Sequence, residues 1–140
     1  MYGKLLALSL TLTLTAGCAG HRKAEPTPTV AIDDHSRIVG IWAMWPLRNG
    51  IANVAEYRAD GTVHLHPFNC DRDTGGEVEV SAYRVADDGR SIHVKSPYRE
   101  FDLKVLQFAD YEMRLAMTLA DIELKFQYQK VDEARPLCGF

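Results

Sequence analysis

The chain has 140 residues, 25% of them charged, with 16 basic and 19 acidic side chains giving a formal net charge of -3. That length suits one domain with a modest core. The basic residues are scattered, and their one cluster, His21-Arg22-Lys23, lies in the leader. This pattern argues against nucleic-acid binding, and a weakly acidic surface implies little beyond solubility and basic partners.

Lys4 precedes an apolar run from Leu5 to Thr15, about 11 residues, far short of the roughly 20 a helix needs to cross a bilayer. A positive charge, a short apolar run and small residues at Ala16-Gly17 compose a secretory signal. Leu8, Leu10, Leu12 and Leu14 alternate with Ser9, Thr11 and Thr13 like a strand, but their position at the extreme start favours processing. The segment Leu14-Thr15-Ala16-Gly17-Cys18 resembles the bacterial lipobox. The resemblance implies a signal peptide over residues 1–17, a diacylglyceryl thioether on Cys18 and an anchor on the periplasmic face of a bacterial membrane, the outer membrane first. A secretory cut near Ala16, leaving Cys18 a plain thiol, is the alternative. Each buried methylene contributes ~0.8 kcal/mol, so two or three acyl chains anchor far better than one.

Residues 18–35 turn to Ala, Thr, Pro and charge, including Pro26-Thr27-Pro28-Thr29, and read as a flexible or polyproline-type tether. The β domain is expected over residues 36–140. Its strands follow a period of two, bounded by turn residues. Ile38 to Trp45 ends at Pro46 and Asn49-Gly50. Ile51 to Tyr57 turns through Ala59-Asp60-Gly61 into Thr62 to Phe68. A loop from Asn69 to Gly76 leads to Glu77 to Val85, with Val78, Val80 and Ala82 on one face. Asp87-Asp88-Gly89 turns into Ser91 to Ser96, which stops at Pro97. Three clean alternations follow: Phe101, Leu103, Val105; then Tyr111, Met113, Leu115, Met117; then Ile122, Leu124, Phe126, Tyr128. One apolar and one charged face, strand after strand, predict an all-β domain. A small antiparallel up-and-down barrel of about eight strands removes the sheet edges; a β-sandwich is the alternative.

With Cys18 assigned to lipid, Cys70 and Cys138 remain, and in an exported protein an even remainder reads as one disulfide. It would close a loop of about 69 residues, contributing ~4 kcal/mol by loop-closure entropy, and tie down the C-terminus.

Gly40-Ile41-Trp42 at the start of the domain resembles the Gly-x-Trp of lipocalins and lipocalin-like bacterial lipoproteins. Tyr57-Arg58-Ala59-Asp60-Gly61-Thr62 looks like the Asp-Gly-Thr hairpin of the small bacterial members, and Phe126-Gln127-Tyr128-Gln129-Lys130 is similar to their final strand. The resemblance implies an eight-stranded up-and-down barrel closed at one end by the tryptophan.

Candidate chemistry is sparse. His64 and His66 share one side of a strand and lie near Cys70, a spacing that could hold a metal; Val63 and Leu65 claim the other side, so the histidines read as a wet face. A disulfide would also withdraw Cys70. Asp33-Asp34-His35-Ser36 has the residue types of a triad without its geometry, and no Gly-x-Ser-x-Gly is present. Asp71, Asp73, Asp87 and Asp88 belong to turns. No catalytic residue, cofactor or metal is therefore assigned. Trp42, Met44, Met113, Met117 and Phe126 are the candidate apolar ligand contacts, although core filling is the stronger reading of a barrel this small. Trp45, on the opposite strand face from Trp42, is the candidate partner contact. The expected role is a lipid-anchored periplasmic binding protein without catalysis, taking a small apolar ligand or an envelope protein. Its alternatives are an inhibitor or immunity-type lipoprotein that neutralises a toxic enzyme, and a hydrolase or isomerase on the same barrel.

Overall fold

The computed structural model describes residues 30–139, so the signal peptide, Cys18 and most of the tether lie outside the described residues. Ten strands form in chain order: β1 (Gly40–Met44), β2 (Val54–Tyr57), β3 (Thr62–His66), β4 (Phe68–Asn69), β5 (Thr74–Gly75), β6 (Glu79–Val85), β7 (Ser91–Lys95), β8 (Glu100–Phe108), β9 (Glu112–Leu119) and β10 (Ile122–Val131). Eight of them close an antiparallel barrel in the order β1-β10-β9-β8-β7-β6-β3-β2, while β4 and β5 form a separate hairpin. β1 closes the ring by pairing with both β2 and β10, with Trp42 opposite Ala55 on one side and Lys130 on the other. Among the described residues no long sheet edge is left open.

The alternation read from the sequence sets the inward face on most strands. Trp42 and Met44, Ala55 and Tyr57, Ile92 and Val94, Leu103 and Val105, Met113 and Leu115 are all buried. β6 takes the opposite phase. Its inward residues are Glu79, Ser81, Tyr83 and Val85, while Val78 and Val80 are 47% and 49% exposed. Pairing decides this: Val63, an inward residue of β3, lies opposite Ser81, so Ser81 points inward as well. A second departure is in β8. Between Val105 and Gln107 the register against β9 shifts, and this bulge brings Phe108 inward at 0% exposure. The fold also reaches further toward the N-terminus than Ser36, because Ile32 is 1% exposed, packs in the core and donates its N–H to Gly89 O at 2.9 Å. Gly89, at φ +67°, must be glycine there, since a Cβ would run into the Ile32 backbone.

One end of the barrel is packed shut. A 3-10 helix at His35–Ile38 lies against it, capped by the Asp34 carboxylate, which accepts from the Ser36 N–H at 2.9 Å and its hydroxyl at 2.7 Å. The hydroxyl of the Asp-His-Ser run is thus tied up in a helix cap. Trp42 is fully buried and donates Nε1–H to Ile38 O at 2.7 Å. Its ring meets Phe108 at 5.8 Å between centroids. Lys130 crosses Gly40 to lie 5.2 Å from the Trp42 ring centroid, and a Cβ on Gly40 would sit 2.8 Å from Lys130 Cε. Gly40 itself sits at φ +133°, a backbone conformation that any side chain would strain, and this is a physical reason for the glycine in Gly-x-Trp. Arg37 lies over Phe108 at 5.1 Å and forms ion pairs with Asp33 and Asp110.

Candidate functional site

At the other end the barrel is hollow. Several inward residues there are short (Ala55, Val63, Ser81, Val94), and they leave a cavity of about 400 Å³. Liquid water would place about a dozen molecules in that volume, and it falls within the ordinary range for small-molecule sites. The apolar wall is built by Met44, Leu65, Phe101, Leu103, Met117 and Phe126. An eight-stranded barrel is at the size where its own side chains can fill it or leave room for one small ligand. Here the closed end does the first and the open end the second.

The cavity has a polar element that the candidate residues did not include. Tyr57 and Tyr128 line it and are 4% and 8% exposed. Burial drives both phenols well above their ordinary value of 10.0, with the nearby Tyr128 and Tyr83 adding a smaller contribution at Tyr57, so both stay protonated. Ser81 and Glu79 lie on the same wall, with Ser81 Oγ 3.5 Å from Glu79 Oε1. Arg99, at the rim, stacks on Phe101 at 5.0 Å. No ion pair joins Glu79 or Arg99 to another described side chain.

The rim is fastened by turn chemistry and by the disulfide. Leu47 and Ile51 bond through Leu47 N–H to Ile51 O at 2.8 Å, and Gly50 turns at φ +80° against Asp71. Cys70 N–H then donates to Gly50 O at 2.8 Å, and Cys70 is bonded to Cys138 with their Cα atoms 5.5 Å apart. The expected loop from Asn69 to Gly76 contains the β4–β5 hairpin, turned through Asp73 at φ +50° with Asn69 Oδ1 accepting the Arg72 N–H at 3.1 Å.

Of the candidate ligand contacts, Met44, Met117 and Phe126 line the cavity. Trp42 and Met113, both at 0% exposure, belong to the closed end. Trp45 lies on the outer face of the barrel at 37% exposure. His64 and His66 are half-buried on the outer wall, where His66 Nε2 is sealed without a hydrogen-bond partner, 3.9 Å from Glu56 Oε2. Among the described residues no group of three or more metal-ligating side chains converges, and Cys70 is committed to its disulfide. Tyr57 and Tyr128 were legible as inward residues by alternation, but nothing in the sequence marks a tyrosine hydroxyl as unpaired.

Fold and site together define a closed eight-stranded antiparallel β-barrel with one packed end and one open cavity, an architecture compatible with a lipocalin-like fold. Comparison of the chain with protein-family models, with curated proteins and with solved structures gives no match.

Proposed function

We propose that this is a lipocalin-like binding protein without catalytic activity, held on the periplasmic face of a bacterial membrane by acylated Cys18, that takes a small apolar ligand into the open end of its barrel. The observation that carries the reading is the apolar cavity of about 400 Å³ standing over a fully packed end. Burial of an apolar group against Met44, Met117 and Phe126 supplies affinity at about 25 cal/mol per Å² removed from water, and methionine adapts to ligands of varied shape. The Cys70–Cys138 bond and the Cys70–Gly50 hydrogen bond support a rim held in place while ligand enters.

Titration with N-phenyl-1-naphthylamine, a neutral apolar dye, tests the cavity. A saturable, blue-shifted emission at one dye per protein is expected; emission that never saturates overturns the reading. The anchor is tested separately. Cys18→Ser should move the protein from the membrane pellet to the soluble fraction, and a variant that still pellets removes lipidation from the proposal.

A protein partner is the second reading. Tyr98 in the β7–β8 turn is 88% exposed, and Leu119 and Ile122, flanking the β9–β10 turn, are 60% and 63% exposed, all at the open end. An inhibitor of a toxic periplasmic enzyme would use such a rim.

A further inference from the structure

Buried tyrosine and tryptophan side chains ordinarily find a hydrogen-bond partner inside the protein. Two in this barrel do: Trp42 Nε1–H donates to Ile38 O at 2.7 Å, and the Tyr83 hydroxyl to Arg58 O at 2.9 Å. Tyr57 and Tyr128 do not. Both are more than nine-tenths buried and line the cavity, and neither hydroxyl has a hydrogen-bond partner among the described residues. Nor is either hydroxyl sealed away, since His66 Nε2 is the only fully sealed, unpartnered side-chain polar atom among them. The two hydroxyls therefore meet the open space of the cavity, and their partner must be whatever occupies it.

We propose that the cavity selects a neutral amphiphile, one that enters with a carbonyl or amide oxygen foremost and places it on the Tyr57 and Tyr128 hydroxyls. This rests on the reading of the cavity as a ligand site and names the class of ligand. Each protonated phenol carries one hydrogen to donate and an oxygen that can accept, so satisfying both hydrogens requires an acceptor on the buried end of the ligand, which an amide oxygen supplies while its N–H groups remain free to donate. An anionic end is disfavoured. It would be desolvated in a site whose cation, Arg99, sits at the exposed rim, while the Glu79 carboxylate lies on the wall between. A cationic end would leave both phenol hydrogens without an acceptor, and the carboxylate that would pair with it, Glu79, stands two residues along β6 from Ser81, the position in register with Val63 and so with Tyr57. The apolar remainder of the ligand lies along Met117, Phe126 and Phe101 toward the mouth.

The test displaces bound N-phenyl-1-naphthylamine with three compounds of one chain length: decanamide, decanoate and decylammonium, at pH 8. Decanamide should compete at least about ten-fold better than either ion. Tyr57→Phe and Tyr128→Phe keep the ring and remove only the donor. Each should weaken decanamide by about five-fold relative to the dye titrated on the same variant, the size of one net hydrogen bond. Failure of the dye to bind overturns the cavity reading itself. Dye binding with either ion matching decanamide, or with decanamide indifferent to both substitutions, overturns this inference and leaves the cavity reading standing.

Discussion

The two ends of the barrel are made from the same strands by the same alternation, yet they are opposite in character. At the closed end Trp42, Ile38, Phe108, Ile92 and Met113 are all at 0% exposure, and the Trp42 N–H is bonded. At the open end the inward residues Leu65, Phe101, Met117 and Phe126 are only half-buried, and two buried phenols have no hydrogen-bond partner among the described residues. The difference teaches that tight packing and open volume are separated along the barrel axis. Large rings from β1 and β8 fill one end; at the other, alanine, serine and valine leave space that no described side chain crosses.

The strongest way to break that comparison is at the plug. Trp42→Ala removes the largest buried ring and should cost about 5 kcal/mol, seen as loss of most cooperative unfolding in urea. Cleavage of the Cys70–Cys138 bond, which spans 68 positions, should cost about 4 kcal/mol by loop-closure entropy. Because it braces the rim, it should also weaken dye binding, which the plug substitution does only by unfolding. A paired test on one strand sharpens the contrast: Met113→Ala should cost about 3 kcal/mol, and Met117→Ala about 1 kcal/mol. Equal costs for the two methionines would mean that the ends are packed alike. Tyr57→Phe and Tyr128→Phe should change stability by less than about 0.5 kcal/mol, since no hydrogen bond to a described residue is lost.

The smallest effect is one of acid. The Thr62 hydroxyl and N–H, at 2.6 and 2.9 Å, hold the Asp60 carboxyl below its ordinary 3.8. A depressed carboxyl contributes stability that is present above the unfolded value and is lost as pH falls through the folded one. The difference in melting temperature between the protein and Asp60→Asn should therefore shrink below pH 3.8.

The strands were largely legible because one face of each meets water and the other the core. Trp42, Leu103, Leu115 and Tyr128 fall on the buried side as their spacing requires. Two places were not. In β6 both faces carry apolar residues, Val78 and Val80 against Tyr83 and Val85, so alternation alone assigns no inside. In β8 the bulge after Val105 resets the phase and hides Phe108 from a strict period of two. Met44, Met117 and Phe126 were legible as cavity candidates by being inward and adaptable; the exclusion of Trp42 and Met113 was not, since both share that spacing.

By itself the sequence determined the all-β class, the strand count of the barrel, its turns and the pairing left to Cys70 and Cys138. These follow from local rules: period, turn residues and cysteine parity. Only the tertiary structure decided which end is full and which is hollow, and that Tyr57 and Tyr128 line the hollow with no hydrogen-bond partner among the described residues. Volume and hydrogen-bond satisfaction are properties of side chains brought together from different strands, and no spacing along one chain records them.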